Sequence, residues 1–262
     1  MLARTIERKL LEYSILLILI GAGAGILGSL VGIGGGIVIS PILALLGLTP
    51  PQVAGTSLIA VSSTSTSSVI AYARLRRIKY DIAIKMAIFS TPGAIFGAIL
   101  SMKIAPVDFK LLFAILLFST GIYLLLRSYI LREHKLKSDS MWIKVFFYTC
   151  ALAAGIISSL FGIGGGVIFV PLLVLINGMN MTSAVPTAQL ALMSTSLIGT
   201  ITHVILGNPE YSLALFLSIG SFVGAQIGSN LLARFKDSTL AKIFAFLLIA
   251  VAVRFVLVSY SK

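Results

Sequence analysis

The chain has 262 residues, 58% hydrophobic and 11% charged, with a mean hydropathy of +1.08, where soluble domains run about 45–50% apolar and about 25% charged. This excludes a water-soluble domain, which would lack polar surface to cover such a body, and excludes disorder, leaving an integral protein of the lipid bilayer. The net charge of +12 lies mostly in breaks between apolar stretches, so it is read as orientation against an anionic membrane surface, with no nucleic acid expected as partner.

The basic start (Arg4, Arg8, Lys9), the apolar run 14–20 and the small residues at 21–25 have the outline of a signal peptide. The same run and glycines recur far downstream, so they are read instead as part of an internal repeat. Residues 25–43, GILGSLVGIGGGIVISPIL, line up without gaps on 155–173, GIISSLFGIGGGVIFVPLL. With one inserted residue the echo continues through Thr56/Thr187, Ser63/Ser194, Tyr80/Tyr211, Gly93/Gly224 and Gly97/Gly228. The chain is thus a tandem duplication: a first transmembrane repeat over 1–126, a basic linker over 127–144 placed in the cytoplasm, and a second transmembrane repeat over 145–262.

Apolar stretches in chain order cover 12–47, 53–73, 82–102 and 109–130, then 145–176, 184–206, 211–233 and 239–259. The expected fold is all-α, with about eight transmembrane segments in two tandem four-segment repeats, the first of each broken at GIGGG. The break follows from length, since a helix over 12–47 would be about 54 Å long against a hydrocarbon core of about 30 Å. One crossing there makes the copies parallel, and a re-entrant fold-back makes them inverted. Lys and Arg counts in the first copy favour one crossing, with both termini and the linker cytoplasmic. Arg234, Lys236 and Lys242 in the second copy fall on the wrong side of that scheme.

The glycine runs are the leading site candidates. Gly34, Gly35 and Gly36, with Gly164, Gly165 and Gly166, offer backbone N–H groups with no side chain in the way. Half-helices starting at Ile37 and Val167 would turn their positive ends toward an anion. Beside them in sequence, Thr56, Ser57, Thr187 and Gln189 can replace the hydration of a small oxyanion without fixed charge. The pairs Gly21/Gly25, Gly93/Gly97 and Gly224/Gly228 are read as helix-packing positions. His203, equivalent to Tyr72, reads either as a proton shuttle or as a span-end histidine facing the interface. All eight acids fall in or beside breaks, so no acidic site for sodium or proton coupling is expected. Two histidines and one cysteine are scant material for catalysis, and Cys150 alone excludes disulfides and cysteine metal clusters. Neither enzyme activity nor a cofactor nor a bound metal is expected.

The two GIGGG runs, followed by Pro41 and by Pro171, make the sequence resemble the TauE/SafE-type sulfite exporter family, whose duplicated halves each carry such a motif. The resemblance covers nearly the whole chain. It implies export of sulfite, or of a small sulfur-containing organic anion such as a sulfonate, across the cell membrane. A monovalent anion leaving a negative interior gains about 2.3 kcal/mol per 100 mV, so the expected drive is the membrane potential, with Lys85 and the basic breaks as a funnel. The alternative is import, or movement of another small anion such as a carboxylate, sulfate or thiosulfate. Whether the chain forms a homo-oligomer is left open.

Overall fold

The computed structural model describes residues 2–130 and 141–232, together with 245–246, 249–250 and 252–253. Among the described residues the first copy contributes α1 (Leu2–Val31), α2 (Gly36–Leu45), α3 (Pro50–Arg74), α4 (Tyr80–Ser101) and α5 (Pro106–Ile130). The second contributes α6 (Met141–Phe161), α7 (Gly166–Leu175), α8 (Met181–Ile205) and α9 (Tyr211–Leu231). Six of these, α1 from Tyr13, α3, α4, α6, α8 and α9, are long and apolar enough to cross a membrane. The ten-residue helices α2 and α7 are about 15 Å long, half of a hydrocarbon core. The middle of the linker, 131–140, and most of the stretch 239–259 lie outside the described residues.

Local chemistry sets the helix ends. Thr49 caps α3 in a capping box, its N–H donating to Gln52 Oε1 at 3.0 Å, and prolines follow in the first turn, where a missing N–H costs nothing. At the other end of α3, Arg76 takes φ +52 and the Arg77 N–H returns to the Tyr72 carbonyl. The end of α8 repeats the device with Gly207 at φ +70 and the Asn208 N–H on the His203 carbonyl.

Inter-copy contacts give the helix directions. On α3 and α8, Ser62 bonds Thr200 and Ser65 bonds Ser196, so one number falls as the other rises and these equivalent helices run antiparallel. Glycines of α1 meet α9 in rising order, Gly21 against Leu217 and Gly25 against Ser221, and those of α4 meet α6 likewise, Gly93 against Leu152 and Gly97 against Ile156. Ser63 and Ser67 of α3 donate to the Ser218 and Phe222 carbonyls of α9, so α1, α3 and α9 share one direction. Lys79 and Ser90 at α4 bond Thr187 and Thr195 on α8, so α4, α6 and α8 share the other.

The copies are therefore inverted, related by a pseudo-two-fold axis across the helices. That axis passes close to Ser65 and Ser196, which are equivalent and bond one another at 3.3 Å. Since α1 and α3 are parallel, α2 must return between them: Gly35 comes back beside Ala24, and Gly28 lies against Gly34 and Gly35. One expectation is corrected. The starts of α1 and α6 lie at opposite ends of the bundle, so the N-terminus and the linker cannot both be cytoplasmic. The earlier charge count assumed one crossing where the chain folds back.

The packing glycines do what their spacing suggested, but between copies. A Cβ on Gly93 or Gly155 would strike the Leu152 or Ser90 carbonyl, and one on Gly224 the Ala22 carbonyl. Side chains there would hold the backbones apart.

Candidate functional site at the paired glycine turns

At the end of α1 the Gly28 carbonyl collects three N–H groups, from Gly32 and Ile33 at 3.0 Å and from Gly34 at 3.2 Å. Gly32 and Gly34 reach φ +80 and +74, and Gly162 and Gly164 reach +69 and +78, values that disfavour any side chain. Each turn thereby reverses the chain within four residues and launches a half-helix. The half-helices α2 and α7 start from Gly35 and Gly165, and neither residue supplies a side-chain cap. Their positive ends are uncovered by any such group.

The two turns meet at the pseudo-two-fold axis. A Cβ on Gly36 would lie 2.6 Å from Ile163 Cα, and one on Gly166 would strike the Gly32 carbonyl oxygen, so the backbones are in direct contact. Gly34 and Gly164 both face the same two side chains, Val61 and Leu192, themselves equivalent positions and fully buried. Each copy also reaches across to hold the other's turn. Ser57 and Ser40 donate to the Gly162 carbonyl at 2.7 and 3.1 Å, and Gln189 Nε2 donates to the Gly28 carbonyl at 2.9 Å. The Gln189 Oε1 is buried with no partner.

The family model described as "Sulfite exporter TauE/SafE" matches residues 17–255. The chain belongs to the TauE/SafE family. It is similar to the "Probable membrane transporter protein YunE" of Bacillus subtilis, 29% identical over 90% of this chain and 95% of that one. A "Probable membrane transporter protein" of Xylella fastidiosa is 32% identical over 91% of this chain and 94% of its own. No solved structure matches. Membership makes the chain a membrane transporter, and its bundle of apolar helices makes it multi-pass.

Within this TauE/SafE bundle the ten candidate residues separate. The six glycines, Ser57 and Gln189 gather at the turns, and Thr56 and Thr187 do not. Thr56 Oγ1 accepts the Glu210 N–H at 2.9 Å and Thr187 Oγ1 accepts the Lys79 N–H at 3.0 Å. These equivalent threonines thus fasten the start of α9 to α3 and the start of α4 to α8, at opposite ends of the molecule. Other hydroxyls are used similarly: Ser63 and Ser67 bind α3 to α9, and Thr195 of α8 bonds Ser90 of α4. His203 is fully buried, not at an interface, with Nε2 on the Ser159 carbonyl at 3.0 Å and Nδ1 facing the Asn208 amide at 2.9 Å. Its equivalent Tyr72 donates to the Ser29 carbonyl, so both residues perform one tie. Sequence reasoning missed Ser40, Val61 and Leu192. The last two were findable only as an apolar pair at equivalent positions, a weak signal in a chain this rich in apolar residues.

Proposed function

We propose that this transporter exports sulfite or a small sulfur-containing organic anion, driven by the membrane potential, through a site between the two repeats at the paired glycine turns. The carrying observation is the meeting of two uncapped half-helix ends at the axis, the Gly32 carbonyl lying against Gly166 and the Gly162 carbonyl against Gly36. Carbonyl oxygens lie beside the positive helix ends where an oxyanion would bind, so parting of the halves trades them for substrate. Ser57 and Gln189, already at the turns, supply further polar contacts. Val61 and Leu192 close the passage when the halves are together. Thr56 and Thr187 stay in this reading as anchors of the helices that move.

The same reading includes an orientation. Arg74, Arg76, Arg77 and Lys79 follow α3, and Lys144 lies in the first turn of α6. In the inverted arrangement these all belong to one end of the bundle, so the positive-inside rule turns that end to the cytoplasm and the N-terminus outward.

The test is sulfite efflux from proteoliposomes under an imposed potential, with sulfate, a sulfonate and acetate alongside. Potential-dependent sulfite flux is expected, and Gly35→Ala and Gly165→Ala should each reduce it about tenfold or more. The atoms nearest an alanine methyl at Gly35 are those of Ala24, at 3.1 Å or more, and at Gly165 those of the movable Phe169 ring, so both variants should fold. Flux that survives both substitutions removes the glycine-turn site. Flux that follows an opposing proton gradient at fixed potential removes the proposed drive, and acetate flux without sulfite flux moves the substrate class to carboxylates.

A further inference from the structure

A polar recess lies where the first turns of α4 and α6 come together. A cavity of about 260 Å³ lies between the first turns of α4 and α6 and the end of α7, and Asp81, Lys85, Lys144, Tyr148 and Asn177 supply its polar lining. With a water's share of liquid volume at about 30 Å³, this holds a small oxyanion and several waters. Lys85 and Lys144 against Asp81 make the formal charge of the lining positive. Asn177 lines the recess through its carboxamide, whose Oδ1 is buried with no hydrogen-bond partner. An orphaned buried polar atom costs stability, so this carboxamide is a group that a ligand with both donors and acceptors, or a rotation of the amide to present its NH2, would satisfy.

The duplication does not explain this recess. At the equivalent positions Asp81 becomes Ser212, Lys85 becomes Phe216, Lys144 becomes Ser14 and Tyr148 becomes Ile18. Asn177 has no equivalent: aligning Gly47 with Gly178, both at positive φ, and the helix caps Thr49 with Asn180, makes Asn177 the inserted residue of the second copy. Two lysines, a phenol and an inserted amide thus line this recess without counterparts at the equivalent positions of the other copy.

We propose that this recess is an oxyanion-binding site, in which Lys85, Lys144, Asn177 and Tyr148 donate hydrogen bonds to a small tetrahedral or pyramidal oxyanion. The ligand is either the free sulfur oxyanion or the phosphate of a lipid headgroup, which present the same chemistry. Use of the site to load the transported anion rests on the function proposed above, whereas binding itself does not. Asp81 is the one repulsive group, so its charge opposes the ligand.

The experiment measures binding of sulfite and of inorganic phosphate to the full chain in nanodiscs of zwitterionic lipid, and retention of phosphatidic acid added to those discs. The doubly substituted Lys85→Gln/Lys144→Gln protein should bind the free anion, or retain the lipid, about tenfold less, and Lys85→Arg/Lys144→Arg should keep it. Asp81→Asn should tighten binding severalfold, a gain that a merely structural role for these residues does not produce. Loss of free-anion binding identifies the soluble oxyanion as ligand, and loss of lipid retention alone identifies the headgroup. Equal binding and equal lipid retention in the wild-type and Gln-substituted proteins overturns the site. Sulfite flux in proteoliposomes is read in parallel: flux indifferent to these substitutions together with unchanged binding defeats this site and leaves the transport reading standing. Binding lost in the variant while the wild type carries no flux does the reverse.

Discussion

Arg76 and Gly207 occupy the same place after equivalent helices, and only one of them suits it. The left-handed backbone that closes a helix costs a side-chain-bearing residue roughly 1 kcal/mol, which glycine avoids. Arg76→Gly is therefore expected to stabilise the protein by about 0.5–1 kcal/mol, seen as a higher thermal midpoint in detergent; a lower midpoint would mean that the Arg76 side chain contributes more than its backbone costs. At this scale the candidate site was partly legible. Three adjacent glycines repeated in both copies are more than helix packing needs, and they do lie together with Ser57 and Gln189. Thr56 and Thr187 were misleading because one position along a helix turns a side chain by about 100°. Ser57 consequently reaches the Gly162 carbonyl while its neighbour Thr56 accepts the Glu210 N–H at the start of α9.

Among the helices, close approach is made by small residues and carried by contacts between copies. A methyl on Gly155 would run into the Ser90 carbonyl and sit 3.1 Å from the Ala94 N, whereas a methyl on Gly23 meets nothing within 4 Å. Gly155→Ala should thus destabilise by about 1–3 kcal/mol through separation of α4 from α6. Gly23→Ala should be neutral or slightly stabilising, because glycine is a poor helix former. Comparing thermal midpoints and the monodisperse fraction of the two variants checks this, and equal behaviour would refute the packing role. The small-residue stripes were readable from spacing. Their partners were not, since spacing within one helix says nothing about which distant helix lies against it.

The whole molecule is two inverted copies, and its topology follows from the fold-back of α2 and α7. Cysteine labelling from either side of sealed cells should find a residue in the linker accessible from the cytoplasm and one near the N-terminus accessible from outside. Labelling of both from the same side would contradict the inverted arrangement. With the copies inverted, the four basic groups after α3 share an end of the bundle with Lys144 in the first turn of α6.

Membership of the membrane class, the duplication, the site of interruption in the first stretch and the family were all available from the sequence, because composition, repetition and length against bilayer thickness are properties of the chain in one dimension. The relative direction of the copies, the division of hydroxyls between fastening and site, and the recess around Lys85 and Lys144 were decided only by tertiary structure. They depend on pairings such as Gly21 with Leu217 or Ser57 with Gly162, where packing across a large sequence separation selects one partner from many apolar helices of similar composition.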